Sequence, residues 1–155
     1  VASTLTQRGC SLEELNLKRV CLGNRGATIL AEALKSNRSL TSLDLGSNNI
    51  QSVGVASIAE ALASNAVLTR LALSNNDIGK CDARLLTDLL TGSTTLTELD
   101  LRFARVEFGA HEANVICQQL EGDVALKSLD LTENGIDDDA KTIIRNRRPS
   151  TKIDL

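Results

Sequence analysis

One sequence feature constrains this chain more than any other: a segment that returns five times at nearly constant distance. SLEELNLKRVCL (11–22) is echoed by SLTSLDLGSNNI (39–50), VLTRLALSNNDI (67–78), TLTELDLRFARV (95–106) and ALKSLDLTENGI (125–136). The shared skeleton is L-x-x-L-x-L-x-x-N-x-L/I. Its first leucine falls at Leu12, Leu40, Leu68, Leu96 and Leu126, giving spacings of 28, 28, 28 and 30 residues. A sixth partial copy, STKIDL, places Ile153 and Leu155 on the same positions. Fixed-period self-similarity of this kind marks a solenoid, in which each unit is one supersecondary element.

Within each unit the apolar period changes. The L-x-L alternation predicts a short strand with its leucines on one face. About ten residues later the spacing becomes helical. Ala27, Leu30, Ala31 and Leu34 share one face, as do Val55, Ile58, Ala59 and Leu62 in the next unit. Ala83, Leu86, Thr87 and Leu90 follow, then Ala113, Ile116, Cys117 and Leu120. Asn37, Asn65, Gly92 and Gly122, with Gly9 before the first strand, are expected to close helices in the left-handed conformation. One strand and one helix cannot bury their own apolar faces, whereas stacked units share a continuous core. Parallel strands stack about 4.8 Å apart and packed helices about 8–10 Å apart, so the stack must curve with its strands inside. The expected fold is an α/β solenoid with a parallel sheet on the concave face and helices on the convex face.

This pattern resembles the leucine-rich repeat family, and within it the long-repeat, ribonuclease-inhibitor-like subfamily. The resemblance implies a horseshoe segment and a ladder of asparagines, each bonding backbone groups inside the turn after its strand. Asn48, Asn76 and Asn134 match that position; Val20 and Ala104 do not, so an irregular backbone is expected in the first and fourth units. The whole chain, 1–155, reads as one such domain. Residues 1–10 read as the end of a truncated repeat, followed by repeats near 11–38, 39–66, 67–94, 95–124 and 125–149, with a terminal strand at 150–155. It is expected to be a monomeric fragment of a larger protein.

Composition narrows the function. Phe103 and Phe108 are the only aromatic residues, so the core is aliphatic and aromatic stacking of sugars or nucleobases is not expected. A net charge of −3 offers no basic footprint for nucleic acid, and no apolar run spans a membrane. Cys10, Cys21, Cys81 and Cys117 form no metal-ligand spacing with the single His111, and they read as free thiols of a cytoplasmic protein. No catalytic residue, cofactor or metal is expected. Asp137, Asp138 and Asp139 stand where the fifth helix begins, which suits capping of free N–H groups. Arg147 replaces the leucine of earlier helices, and Pro149 stops that helix. With Arg145 and Arg148 it suggests a polar covering unit.

The informative surface is therefore the inner one. The position between the second and third leucines runs Asn16, Asp44, Ala72, Asp100, Asp130, Asp154 along the stack, with Arg70, Arg102, Lys127 and Lys152 nearby. Phe103 takes a slot filled elsewhere by Arg19, Ser47, Asn75 and Glu133, and either anchors a partner or folds into the space left by the missing asparagine. Phe108 and His111 fall in a strand-to-helix loop two residues longer than its counterparts, which is expected to reach past the rim. The expected contact residues are Glu14, Asn16, Lys18, Asp44, Arg70, Asp100, Arg102, Phe103, Phe108, Lys127 and Asp130. The expected function is non-catalytic binding of a protein partner through the concave face and rim. Family resemblance leaves three alternatives open: part of a Ran-type GTPase-activating protein, the sensing repeats of an innate-immune receptor, or an actin-capping repeat domain like that of tropomodulin.

Overall fold

A computed structural model describes residues 1–7, 9–79, 83–121, 125–147 and 150–155. Cys81, Gly122, Arg148 and Pro149 lie outside the described residues, as do the side chains of Ala83 and Leu86. In chain order the elements are α1 (Ala2–Leu5), β1 (Glu14–Asn16), α2 (Gly23–Ser36), β2 (Ser42–Asp44), α3 (Ser52–Leu62), β3 (Arg70–Ala72) and α4 (Ala83–Thr91). They continue with β4 (Glu98–Asp100), β5 (Glu107–Phe108), α5 (Ala110–Leu120), β6 (Ser128–Asp130), β7 (Gly135–Ile136), α6 (Asp138–Arg147) and β8 (Lys152–Asp154).

The repeat sets the register. Six strands form one parallel sheet in the order β1-β2-β3-β4-β6-β8. Leu15, Leu43, Leu71, Leu99, Leu129 and Ile153 pair across it in one row. These leucines face the helices, and Leu43, Leu71, Leu99 and Leu129 are buried. Helix residues Leu30, Leu34, Ile58, Leu62, Leu90, Ile116 and Leu120 close the core from the other side. The chain is thus an α/β leucine-rich-repeat solenoid, as its period predicts.

The asparagine ladder is present. Asn76 accepts hydrogen bonds at Oδ1 from the N–H groups of Asn48 and Ile50 (3.0 and 2.9 Å) and donates from Nδ2 to the carbonyls of Leu45 and Leu73 (3.0 and 2.8 Å). Asn48 and Asn134 repeat the arrangement, each reaching back to the preceding unit. Where Ala104 breaks the ladder, the Ile78 N–H turns to the backbone carbonyl of Ala104 at 3.0 Å. Main chain takes over that one bond of the missing side chain, and the β3–β4 register continues unbroken.

One local expectation, left-handed closure of the helices, is corrected. Asn37 is not left-handed but extended (φ −68°, ψ 139°), and neither Asn65 nor Gly92 has a positive φ; Gly9 is left-handed (φ 89°), but α1 already ends at Leu5 with Thr6 as its cap. Asn37 and Asn65 act through their side chains instead. The Asn37 carboxamide accepts from the Leu40 N–H (2.7 Å) and donates to the Leu5 carbonyl (2.9 Å), and Asn65 does the same toward Leu68 and Leu34. Ser93 fills the next position in this second buried ladder. At α6 the expectation holds: the Asp137 carboxylate accepts from the Ala140 N–H at 2.7 Å.

Candidate functional site

The strand residues between the inward leucines make three rows on the concave face. Glu14, Ser42, Arg70, Glu98, Ser128 and Lys152 form one; Asn16, Asp44, Ala72, Asp100, Asp130 and Asp154 form the second. Lys18, Gly46, Ser74, Arg102 and Thr132 follow, two residues further on in each unit. Around β2–β6 these rows line a shallow cavity of about 450 Å³, bordered by Asp44, Arg70, Ala72, Glu98, Asp100, Arg102 and Asp130, with Ser42 and Ser128. Five of the predicted contact residues therefore converge. Glu14, Asn16 and Lys18 lie at the β1 edge outside the cavity, and exposed Lys127 stands just before β6 without lining it.

The acidic row has a structural task that its position alone does not reveal. One oxygen of each side chain receives the N–H two residues on: Asn16 from Lys18 (2.9 Å), Asp44 from Gly46 (2.8 Å), Asp100 from Arg102 (3.0 Å) and Asp130 from Thr132 (3.0 Å). Short acidic and amide side chains make such turns readily, and here they end β1, β2, β4 and β6. In Asp100 and Asp130 the second oxygen meets the Arg102 guanidinium, at 2.8 and 3.3 Å.

Charge relief comes mainly from Arg102. Its guanidinium contacts Asp100 (2.8 and 3.0 Å) and Asp130 (3.3 Å), and Lys152 pairs with Asp154 at 2.8 Å. Burial alone would push the Asp100 carboxyl up. The hydrogen bonds and charge of Arg102, aided by the Ser74 hydroxyl, outweigh that and hold it below the usual carboxylate range. Arg102 is itself raised above its ordinary value, chiefly by bonding to Asp100. Arg70 reaches across Ser42 to Glu14 at 3.1 Å. Among the described residues no cation lies within ion-pair distance of Asp44, which stands beside the gap left by Ala72.

Phe103 faces solvent: it is 55% exposed, while the neighbouring Ala104 is fully buried. Its slot is left-handed throughout the stack, at Arg19 (φ 60°), Ser47 (57°), Asn75 (54°), Phe103 (51°) and Glu133 (57°). A bulky side chain in that region carries about 1–3 kcal/mol of strain. Beside it runs a second groove of about 300 Å³ lined by Ser47, Asn49, Asn75, Asp77, Phe103 and Arg105, with Asp77 and Arg105 paired at 3.3 Å. Sequence reasoning missed this groove, although Asp77 and Arg105 stand 28 residues apart and the repeat arithmetic places them side by side.

Phe108 is a correction. It is 5% exposed and belongs to β5, which pairs with β7 through Phe108–Ile136, so it is core and unavailable to a partner. The two extra residues do not reach past the rim; they add a strand that clamps the fourth unit to the fifth. His111 lies in the first turn of α5, outside any loop. Arg147 ties back to α5 through Glu121 (3.0 Å) and Asn114 (3.2 Å).

No helix among the described residues is long and apolar enough to cross a membrane. No curated protein matches this sequence. Among solved structures, one titled Leiomodin-1 Actin-Binding Site 2 is similar with a TM-score of 0.71 and 20% identity over 94% of this chain and 82% of its own. A tropomodulin C-terminal domain from Caenorhabditis elegans gives a TM-score of 0.74 with 16% identity over 94% of this chain and 87% of its own. At those identities the likeness concerns the fold. The Leucine Rich repeat profile matches residues 36–59, 64–80, 92–107 and 125–140, segments that fall on successive copies of the skeleton. With the six-strand register and the asparagine ladder, those matches show that this chain is built of leucine-rich repeats.

Proposed function

We propose that this chain is a rigid cytoplasmic scaffold that binds a partner protein across its concave face and the adjoining rim, without chemistry of its own. The observation that carries the reading is a charged cavity that includes Arg102, followed directly in the chain by an exposed, strained Phe103 that lines the second groove. Arg70, Asp44 and Glu98 present charge of both signs for register, and Phe103 supplies apolar area at a site otherwise polar. The 28-residue period with a full helix in most units supports placement in the ribonuclease-inhibitor-like subfamily.

An actin-type partner is the first to try, because one similar solved structure is titled as an actin-binding site. Asp100 is a poor probe, since it holds both Arg102 and the turn after β4. Arg70→Glu with Phe103→Ala is cleaner: among the described residues the Arg70 side chain pairs only with exposed Glu14, an exposed pair worth about 0–1 kcal/mol. Co-sedimentation with filamentous actin and anisotropy with monomeric actin should show binding by wild type and loss in the double variant. Equal binding by both would overturn the concave-face reading; no binding by either would remove actin as the partner.

A further inference from the structure

We propose that Asn134–Gly135 is a self-modification site: a deamidation point that the native fold holds shut and that opening of the last units releases. It is the only Asn-Gly pair in the sequence. In such a pair the backbone nitrogen of the second residue attacks the side-chain amide carbon of the first. A new C–N bond closes a succinimide ring, the attacking N–H gives up its proton, and ammonia leaves. Water then opens the ring to aspartate or isoaspartate. A side chain on the second residue crowds the attack, and glycine does not. The other ladder asparagines are protected in this way, because Asn48 is followed by Asn49 and Asn76 by Asp77.

The structure explains why a glycine stands at this exposed position. At the equivalent place Cys21, Asn49 and Arg105 take left-handed φ values of 54, 56 and 55° and Asp77 does not, while residue 135 is in β7, paired with Glu107 of β5. A Cβ there would come within 2.8 Å of Glu107 Cγ. The two-residue insertion that creates β5 thus calls for bare backbone beside a ladder asparagine.

The same contacts keep the reaction off. The attacking nitrogen, Gly135 N–H, is donated to the Val106 carbonyl at 2.9 Å. The Asn134 carboxamide is fixed by the Ala104 and Val106 N–H groups (3.0 and 2.9 Å) and by the Leu101 and Leu131 carbonyls (both 2.8 Å). Both sets must break together before attack, so the rate follows local opening of the fourth and fifth units. Modification is then hard to reverse. An aspartate still accepts from Ala104 and Val106, but it directs an anionic oxygen at carbonyls that had received a donor. Ala104 brings no ladder asparagine of its own, so the turn that carries Phe103 is loosened.

The test is to age the full chain in mildly alkaline buffer, folded and in urea, and map deamidation by peptide mass spectrometry. The unfolded chain should lose ammonia first at Asn134, and the folded chain should be slower there by roughly ten-fold or more, the factor reading local opening. Aged folded protein should show faster hydrogen exchange at Ala104 and Val106. Gly135→Ala should slow the unfolded-state reaction, and Gly135→Ala with Glu107→Ala gives the same comparison with the crowding relieved. Equal folded and unfolded rates at Asn134 would overturn the gating. Unfolded-state reaction at Asn48 or Asn76 as fast as at Asn134, or no slowing by Gly135→Ala, would overturn the assignment of the site.

Discussion

Replacing Asn76 with alanine removes the centre of the asparagine ladder and leaves the strands in place. The carboxamide accepts two N–H groups, from Asn48 and Ile50, and donates to the carbonyls of Leu45 and Leu73, all within 3.0 Å. Asn76 is 4% exposed and Ile50 and Leu73 are fully buried, so water cannot replace it without opening the turn. At about 1 kcal/mol for each of four bonds, Asn76→Ala is expected to destabilise by about 4 kcal/mol. With a urea slope of roughly 2 kcal/mol/M for a domain of this size, the midpoint falls by about 2 M. Equilibrium urea unfolding followed by circular dichroism measures it, with the slope checked because stacked repeats can lose cooperativity. The chain contains its own counter-example, since Ala104 occupies the same position and Ile78 N–H finds a backbone carbonyl instead. A loss under about 1 kcal/mol would mean that the second unit repairs itself likewise, and that the ladder contributes regularity more than stability.

Ala104→Asn should restore the missing rung and stabilise by about 1 kcal/mol, read as a higher urea midpoint with slower exchange at the Ile78 amide. Phe103→Asn should also stabilise, by roughly 1 kcal/mol, because asparagine tolerates the left-handed φ of 51° and little burial is lost; a lower melting temperature would contradict the strain argument. The lowered Asp100 carboxyl contributes stability that is fully present above its ordinary unfolded pKa and is lost as pH falls through its depressed folded value. Acid titration of Arg102→Ala should therefore show a flatter pH dependence below about pH 4 than wild type. In thiol-reactivity assays exposed Cys21 should label at once. Cys117, fully buried and with its thiol pushed up by burial, should label only on unfolding.

Period and spacing made the architecture legible because every unit repeats the same physical problem. Leu43, Leu71 and Leu99 must face the helices, and 28-residue steps then force their register. The side-chain duties inside the turns were harder to read. Asn37 and Asn65 looked like helix-ending residues by position, yet a carboxamide can also satisfy the next strand's N–H groups, and burial selects that use. The acidic row read as a binding stripe although Asp44, Asp100 and Asp130 each also receive the N–H two residues on, a short-range signal visible in Asp44-x-Gly46 and Asp130-x-Thr132. Phe108 was misplaced for a different reason. Its partner is Ile136 in the following unit, and no local pattern discloses a pairing between two two-residue strands.

The fourth unit shows how departures that coincide in sequence can separate in space. Ala104, Phe103 and the two added residues sit within six positions, which invites a single explanation. The added residues are structural: they make β5, bury Phe108 and bind the fourth unit to the fifth. Ala104 is repaired by its own carbonyl and is fully buried, so no void beside it calls for an aromatic. Had Phe103 been filling space for the lost asparagine, it would be buried and its turn would differ from its neighbours. Its φ instead matches Ser47 and Asn75 within 6°, and the shared backbone directs the ring to solvent. Of the three departures, only Phe103 is left without a folding role, in a backbone conformation that disfavours it. Under the proposed function, contact with another molecule would be its physical justification, at the wall of the second groove and one residue on from Arg102 of the first.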